Sequence, residues 1–295
     1  MLPVSLEKGL KMAAISASMV KELRERTGLG MMDCKKALVE SMGDMELAIE
    51  TMRKSSGMKA AKKAGRIASD GLIGLKIAED GSKAAMVEVN CETDFAARDD
   101  NFLGFVATVT DQVYDSAETD ISKLLEAGLD TIRETLVQKI GENCSVRRAE
   151  VFEGLVASYV HTNGRIGVLV SLEGGTTELG REVAMHIAAT NPSVILPEDV
   201  PADLLAKERE IYVAQAQDSG KPPEIIEKMI EGRVRKYLAE ISLTEQPFVK
   251  DGDIKIGALL KKAGATIKAF TRYEVGEGIE KVEVDFAAEV AQQLG

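Results

Sequence analysis

The side chains of this sequence with the greatest capacity for chemistry are three cysteines and two histidines, and their spacing favours neither catalysis nor metal binding. Cys34, Cys91 and Cys144 lie far apart without paired spacing, which argues against a zinc site or a disulfide framework and fits a reducing compartment. His186 belongs to an apolar helical pattern and is interpreted as structural. His161 lies beside an Asn-Gly turn, too exposed for a tuned general base, and is either a contact residue or a plain turn residue.

Glycine-rich phosphate sites find no support in the sequence either. Ser219-Gly220-Lys221 lacks the upstream glycine of a phosphate loop and is followed by two prolines. Gly28-x-Gly30 follows a helical pattern instead of a strand and has no third glycine, so it is not a dinucleotide fingerprint. We therefore predict no cofactor and no metal ion. A small-molecule enzyme is the third choice of function class, because no perturbed catalytic group can be identified.

The residues between a predicted strand, 84–89, and a predicted helix, 102–113, form the strongest candidate for a functional loop. Thr93 or Asp94 could cap the turn, because a short oxygen-bearing side chain accepts hydrogen bonds from free amide groups. Phe95 lies outside the apolar periodicity of both neighbours and is either presented to a partner or folded back into the core. The local pattern alone favours the core.

Length, composition and charge limit the class of protein. At 295 residues the chain is long for one domain, and about two to four modules are expected. With no Trp and 12 Met, the core must be largely aliphatic. No apolar run could span a bilayer and the N-terminus has no signal-peptide pattern, so we predict a cytoplasmic protein that does not contact membranes. The net charge of −11 disfavours binding to phosphate backbones through the whole surface and suits a protein that meets another protein.

Three short helical patterns between residues 15 and 53 predict a small N-terminal module. Helices this short are not stable alone, so they must share one core. Met31 and Met32, at a turn, are equally consistent with core filling and with an adaptable contact surface. A linker is predicted to begin at residues 55–57, whose Ser-Ser-Gly sequence is typical of a break.

A basic segment follows this predicted linker. Four of the eight residues in 59–66 are Lys or Arg, which invites a nucleic-acid interpretation, and an RNA-associated binding protein using this segment is the second choice of function. No aromatic residue interleaves, however, and an Ala/Lys helix with a solvated face is the commoner explanation. We therefore predict no direct contact with nucleic acid.

An internal repeat is visible in the middle of the sequence. Residues 71–77 and 84–89 form one predicted strand pair, 154–160 and 166–172 form another, and each pair is followed by a helix. Asn163-Gly164 between apolar runs is a strong hairpin signal. Two hairpins backed by helices predict two related α+β subdomains with antiparallel sheets.

The remaining patterns are mostly helical. A helix from Leu124 to Ile140 is added to the first copy of the repeat. Two helices face each other across 219–223 as an antiparallel hairpin. Residues 246–275 read as strand, helix and strand and are predicted to complete the second subdomain. The sequence 276–278 is interpreted as a hinge to a last amphipathic helix at 284–294.

The sequence resembles the elongation factor Ts family, and the resemblance covers essentially everything after Met12. The stretches that carry it are Val20 to Gly28 continuing through Met31 to Leu38, the Thr93-Asp94-Phe95 loop, His161 with Gly164 to Val168, and Tyr273 to Lys281. The resemblance implies a guanine-nucleotide exchange factor without chemical catalysis of its own. Its implied partner is elongation factor Tu, a GTPase, in the GDP-bound and nucleotide-free forms.

The same resemblance implies which residues touch that partner. In the family a Thr-Asp-Phe loop wedges into the GTPase domain and displaces its Mg²⁺ site. This implies a partner-binding loop made of Thr93, Asp94, Phe95 and Ala96, with Ala96 where the family usually has Val. It reverses the local preference for a buried Phe95. Further contacts are implied for Lys21, Arg24, Met31, Met32 and Lys35 in the N-terminal module and for His161 in the second core subdomain.

The predicted fold class is α+β. It comprises a three-helix module of the ubiquitin-associated type, a duplicated core with antiparallel sheets, an inserted helical hairpin that resembles a coiled coil, and a C-terminal helix. A homodimer through the hairpin is a further expectation from the resemblance. The predicted modules are an extension without structure at 1–11, the N-terminal module at 12–55, a linker and first core subdomain at 56–150, a second core subdomain at 151–190 plus 241–277, the hairpin or dimerisation module at 191–240, and a C-terminal module at 278–295.

Overall fold

A computed structural model describes residues 15–217 and 222–280 of the chain. The predicted extension 1–11, the predicted last helix 284–294 and most of the predicted turn 219–223 lie outside the described residues. The helices are α1 (Ala17–Thr27), α2 (Met31–Glu40), α3 (Met45–Lys63), α4 (Asp94–Ala97), α5 (Asp100–Ser116), α6 (Ile121–Leu124), α7 (Asp130–Ile140), α8 (Thr177–Thr190), α9 (Ala202–Gln217), α10 (Pro223–Ile241) and α11 (Ile256–Lys262). The strands are β1 (Asp70–Ile77), β2 (Lys83–Cys91), β3 (Cys144–Glu153), β4 (Leu155–Val160), β5 (Ile166–Glu173), β6 (Pro247–Phe248), β7 (Asp251–Lys255) and β8 (Thr266–Glu274).

The first three helices share one small core, as the sequence predicted. Ser16 caps α1 by accepting a hydrogen bond from the amide of Met19 at 3.2 Å, and the helix ends at Gly28. The core consists of apolar residues from all three helices and the α1–α2 turn: Val20, Leu23, Leu29, Cys34, Ala37, Leu38, Ala48 and Met52. None of these helices could bury an apolar face without the other two.

The predicted linker at residues 55–57 is wrong, because α3 continues through it to Lys63. The small residues of this segment, which the sequence analysis interpreted as a break, instead allow α3 and α7 to approach closely. A Cβ atom on Gly57 would lie 2.9 Å from the Glu134 carboxylate of α7. Ser56 is buried, and its hydroxyl is hydrogen-bonded to the side chain of Gln138, also on α7. The N-terminal helices are thus docked on the core through α3.

Two three-stranded antiparallel sheets form the centre of the molecule and confirm the predicted hairpins and the α+β class. Their strand orders are β1-β2-β3 and β4-β5-β8. The C-terminal strand β8 completes the second sheet, as predicted. Strand β3 was not predicted, because residues 144–153 alternate only weakly between apolar and polar residues.

The sheets pack against each other through one face and carry helices on the other. Between them lies a cluster that includes Ile73, Met86, Val156, Leu169 and Tyr273. Helices α5 and α7 bury apolar residues on the outer face of the first sheet, and α8 and α11 do so on the second. This arrangement brings the turn between β4 and β5 against the first sheet, where the amide of Ile73 donates to the Gly164 carbonyl at 2.8 Å.

The single helix predicted from Leu124 to Ile140 is interrupted. Helix α6 ends at Leu124, a wider turn follows, and α7 begins at Asp130. The interruption lies at Gly128, whose φ of 114° is outside the helical region and accessible to glycine at little cost.

Helices α9 and α10 form the predicted antiparallel hairpin. Arg209 pairs with Glu227, and Arg233 donates to Gln215 at 2.7 Å, across the two helices. Ala216 and Ile230 are buried between them. Leu204 and Ile211 of α9, however, are exposed. Dimerisation through this hairpin stays a prediction.

The predicted hinge at 276–278 is held in place by a buried carboxylate. Glu88 of β2 is fully buried, and its carboxylate accepts hydrogen bonds from Arg147 at 3.0 Å, Arg148 at 2.6 Å and the Gly276 amide at 2.9 Å. Arg147 also donates to the Glu277 carbonyl. Burial opposes ionisation of Glu88, but these hydrogen bonds outweigh it and hold its pKa below the usual range. The segment is therefore anchored where it leaves β8, and the hinge stays a prediction because the helix to which it would lead lies outside the described residues.

His186 is structural, as predicted. It is fully buried on α8, its Nε2 atom lies 2.9 Å from the Gln246 side-chain oxygen, and its Nδ1 atom accepts from the Val249 amide at 3.3 Å. This pattern requires the neutral ring protonated on Nε2. Burial lowers the pKa of His186, while the hydrogen bond with Gln246 opposes that shift.

A pH dependence of stability follows from this environment. Below about pH 6.5 an unfolded histidine takes up a proton that the folded site resists, so His186 makes the free energy of unfolding fall with decreasing pH. In urea titrations, the stability advantage of the wild type over His186→Gln is expected to narrow between pH 7 and pH 5. A constant difference across this range would contradict the assignment.

Candidate functional site

The turn after β2 is built as an N-capped helical turn. Strand β2 ends at Cys91, and α4 is a single turn. The Thr93 hydroxyl accepts a hydrogen bond from the amide of Ala96 at 3.2 Å, and the Thr93 carbonyl accepts one from the amide of Ala97 at 3.2 Å. Thr93 is therefore the cap, one of the two predicted alternatives.

This turn presents Phe95 to solvent. The side chain of Phe95 is 80% exposed, whereas Ala96 and Ala97 are buried in the core of the first subdomain. Burial of Phe95, favoured by the local pattern alone, is wrong, and the exposure implied by the family resemblance is confirmed. The ring of Phe95 therefore contributes little to the core and stays at the surface of the described residues. Ala96 supports the turn from beneath.

Asp94 is exposed beside Phe95 and forms an ion pair with Arg98, with an oxygen–nitrogen distance of 2.9 Å. The pair spans one helical turn, from position i to i+4. Such exposed pairs contribute little to stability, so Asp94 is available for exchange with another cation.

Two carboxylates that the sequence analysis missed hold the turn. Both oxygens of Glu142, in the segment between α7 and β3, accept hydrogen bonds from Thr93: one from its amide at 3.0 Å and one from its hydroxyl at 2.7 Å. Reciprocally, Glu92 accepts from the amide of Asn143 at 2.6 Å. These residues are about fifty positions apart in the chain, so no local pattern could have linked them.

A groove on the N-terminal helices gathers the predicted contact residues of that module. It has a volume of about 400 Å³ and lies between α1 and the start of α2. All five predicted residues line it: Lys21, Arg24, Met31, Met32 and Lys35. Met31 is 58% exposed and Met32 is 74% exposed, which favours a contact surface over core filling. The groove thus combines an apolar wall with a basic rim.

The groove and the turn that carries Phe95, residues 93–97, which we call the Phe95 turn, belong to adjoining parts of the surface. Arg24 and Met31 also line a second crevice, whose other wall is formed by Asn101, Gln138 and Lys139. Asn101 is the second residue of α5, the helix that follows the Phe95 turn. The docking of α3 on α7 therefore places both features around one junction between the N-terminal helices and the core.

His161 lies in the turn between β4 and β5, and it is exposed, as predicted. Its Nδ1 atom lies 3.2 Å from the Tyr159 hydroxyl. In the same turn Arg165 forms an ion pair with Asp70 of β1. Asp70 lies opposite Cys91 of β2, and Thr93 follows Cys91 by two residues. The His161 turn and the Phe95 turn therefore lie toward the same end of the first sheet.

The basic segment 59–66 is largely engaged within the protein. Lys59 pairs with Asp33 at 3.5 Å, Arg66 pairs with Glu92 at 3.5 Å, and Lys63 donates to the Gly141 carbonyl. These contacts fasten α3 and the residues that follow it to neighbouring elements. They favour the helix interpretation over the nucleic-acid interpretation.

The thiols and the carboxylates of the described residues show no reactive arrangement. Cys34, Cys91 and Cys144 are buried and free, and burial raises the pKa values of Cys91 and Cys144 to about 12, which suppresses their thiolates. Within residues 15–217 and 222–280, no three His, Cys, Asp or Glu side chains are grouped to hold a metal ion. No helix in the same residues is long and apolar enough to cross a membrane.

The exposed aromatic turn, the apolar groove and the exposed histidine turn, all carried by a two-sheet α+β core, are features expected of a protein-binding factor. Comparison with known proteins agrees with this class. The family model described as elongation factor TS matches residues 92–277. Elongation factor Ts of Hahella chejuensis is 63% identical over 284 residues, covering 96% of this chain and 99% of that protein. Elongation factor Ts of Marinobacter nauticus is 58% identical over 285 residues, covering 96% and 99%.

The chain belongs to the elongation factor Ts family. It is accordingly a translation elongation factor of the class that promotes guanine-nucleotide exchange on elongation factor Tu. Its activity is the acceleration of ligand release from a partner, a task that needs complementary surfaces and no catalytic group in this chain.

Proposed function

We propose that this protein accelerates GDP release from elongation factor Tu by inserting the Asp94–Phe95 turn beside the Mg²⁺ site of the GTPase domain. The observation that carries the proposal is the 80% exposure of Phe95 on a turn that is already capped and anchored. A pre-formed aromatic projection can enter a pocket with little loss of conformational entropy on binding. Asp94, beside it, orients the inserted turn.

The mechanism rests on how such GTPases hold GDP. Mg²⁺ bridges protein side chains and the phosphates, so a shift of its coordinating elements weakens the affinity for GDP. Binding free energies are reciprocal: a factor that prefers the nucleotide-free partner must lower the affinity of that partner for GDP by the same coupling free energy. GTP can then bind to the vacated site, and the factor is released.

The other two surfaces supply affinity and orientation. The groove formed with Met31 and Met32 binds an apolar element of the GTPase domain near the base of the nucleotide, and Arg24 and Lys35 at its rim meet acidic groups. His161 contacts a different domain of the partner. In this arrangement Phe95 acts at the Mg²⁺ site of the partner. The remaining contacts exclude water and fix the orientation of the two proteins.

The proposal is tested by the release rate of a fluorescent GDP analogue from elongation factor Tu, with and without catalytic amounts of this protein. We expect acceleration, and we expect it to be lost when Asp94 is replaced by alanine. Formation of a stable complex without acceleration would contradict exchange and would leave a scaffold or chaperone role.

The groove makes a separate contribution, which Met32→Ala measures. Because Met32 is 74% exposed, its truncation leaves folding nearly unchanged, but it removes apolar area from the interface. The KM for elongation factor Tu–GDP is expected to rise about tenfold, equivalent to about 1.4 kcal/mol of binding, with kcat little changed.

Met58→Ala is the matched control, since Met58 is a 64% exposed methionine of α3 that does not line the groove. Equal KM values for the two variants would remove the groove from the interface.

A further inference from the structure

The Phe95 turn is fastened where the paired part of the first sheet ends. Cys91 of β2 and Cys144 of β3 are the last residues paired at this end, and beyond them the backbones separate. Side chains continue the connection. Glu142 accepts two hydrogen bonds from Thr93, and Glu92 accepts one from Asn143. The two acidic residues thus bridge the strand ends in opposite directions.

Glu142 supports the whole cap of α4. The Thr93 hydroxyl donates its hydrogen to Glu142 at 2.7 Å, and the same oxygen accepts from the Ala96 amide at 3.2 Å. A helix of one turn cannot persist on its own hydrogen bonds, so its geometry must be imposed from outside. Hydrogen bonds to an ionised carboxylate are shorter and stronger than neutral ones, which makes Glu142 the strongest external support of Thr93.

The segment that carries Glu142 also bonds to the N-terminal helices. Lys63, the last residue of α3, donates to the Gly141 carbonyl. The Asn143 side chain donates to the carbonyl of Arg66 at 2.8 Å and to that of Ala64 at 3.4 Å. Three consecutive residues, 141–143, therefore contact both the Phe95 turn and the C-terminal end of α3.

We propose that Glu142 is a positioning residue for nucleotide exchange: it holds Thr93 so that Phe95 projects, and its segment links this turn to the end of α3, the helix that packs with the two helices carrying the groove. The inference rests on the proposed function of Phe95. It adds that the hydrogen bonds of residues 141–143 fix the position of the Phe95 turn relative to the groove. A partner that binds at the groove therefore meets a turn that is already formed. A turn that is formed only part of the time lowers the apparent affinity by its populated fraction.

Glu142→Gln tests the role with almost no change of shape. The glutamine oxygen can accept from one donor of Thr93, but its NH2 group cannot accept from the other, so one of the two hydrogen bonds is lost. We expect kcat/KM for GDP release to fall about tenfold, which is about 1.4 kcal/mol. Thr93→Val removes the hydroxyl that donates to Glu142 and is expected to lower kcat/KM for GDP release as well.

Glu126→Gln is the control for the change of charge, since Glu126 is an exposed carboxylate between α6 and α7. It is expected to exchange at the wild-type rate. Amide hydrogen exchange gives a readout that does not depend on elongation factor Tu: the amides of Ala96 and Ala97 both bond to Thr93, and their protection is expected to fall about tenfold in Glu142→Gln but not in Glu126→Gln.

A double-mutant cycle shows whether Glu142 acts through Thr93. In the Thr93→Val background, Glu142→Gln is expected to have little further effect on kcat/KM for GDP release. Fully additive losses would overturn the proposal, and so would unchanged protection of Ala96 and Ala97 in Glu142→Gln. Phe95→Ala, measured in parallel, separates the two hypotheses. If Phe95→Ala lowers the rate of GDP release and Glu142→Gln does not, only the positioning role of Glu142 fails. If Phe95→Ala releases GDP at the wild-type rate, the proposed function fails. Amide hydrogen exchange then still decides whether Glu142 orders the turn.

Discussion

Phe95→Ala is expected to lower kcat/KM for GDP release by about 30-fold or more while the free energy of unfolding changes by less than about 0.5 kcal/mol. A central aromatic contact in a protein interface typically contributes about 2 kcal/mol or more, and about 1.4 kcal/mol corresponds to a factor of ten. The stability is insensitive because the side chain is 80% exposed and contributes little to the core. The measurement is the release of a fluorescent GDP analogue over a range of exchange-factor concentrations.

Ile132→Ala controls for the loss of an exposed apolar side chain, because Ile132 is 44% exposed on α7 and lies outside the Phe95 turn. It is expected to exchange GDP at the wild-type rate. A large loss of stability in Phe95→Ala with intact exchange would mean that Phe95 packs in solution, and the insertion of this turn into the partner would have to be abandoned.

Glu88→Ala is expected to reduce the free energy of unfolding by about 3 kcal/mol. Removing one partner of a buried ion pair typically costs about 3–5 kcal/mol because the remaining charges lose their compensation. The lower end applies here, since the side chains of Arg147 and Arg148 are 29% exposed and can be hydrated when the carboxylate is gone. The Gly276 amide also loses its acceptor, so the segment after β8 is released from the first sheet. Urea titration at pH 7 measures the loss.

A control variant and a pH dependence distinguish the role of Glu88 from that of an exposed carboxylate. Glu153→Ala, which removes an exposed carboxylate 3.9 Å from Lys83 on the adjacent strand, is expected to change stability by less than about 1 kcal/mol. The pKa of Glu88 is lowered in the folded protein, so its stabilisation is present above the ordinary value of 4.5 and is lost as the pH falls further. The difference between wild type and Glu88→Ala is therefore expected to shrink below pH 4.5. A difference of under about 1 kcal/mol at pH 7 would contradict the role of this network.

Features encoded by neighbouring residues were predictable from the sequence. Asn163-Gly164 between apolar runs predicted the β4–β5 hairpin, and Thr93 was one of two candidates for the cap of α4. Hydrophobic periodicity predicted the shared core of the first three helices. In each case the physical cause lies within a few positions along the chain: a turn geometry, a short oxygen acceptor or a helical stripe.

The tertiary structure decided the features that depend on distant residues. Ser-Ser-Gly at 55–57 has the composition of a linker, but α7 approaches there, and the small side chains become a helix contact. Glycines at 276 and 278 suggest a hinge, but buried Glu88 anchors that segment. The linker prediction failed because backbone freedom was judged without knowledge of which partner would remove it.

The candidate site divides in the same way. By itself the sequence determined the family resemblance, the residues of the Thr93-Asp94-Phe95 loop and the residues of the N-terminal module that were expected to touch a partner. The local pattern favoured a buried Phe95 and the family resemblance an exposed one, and the tertiary structure decided for exposure because exposure depends on what the rest of the chain covers. Only the tertiary structure placed Glu142 against Thr93. The hydrogen bonds from Thr93 to Glu142 join residues 49 positions apart, and a contact between such distant residues leaves no local pattern in the sequence.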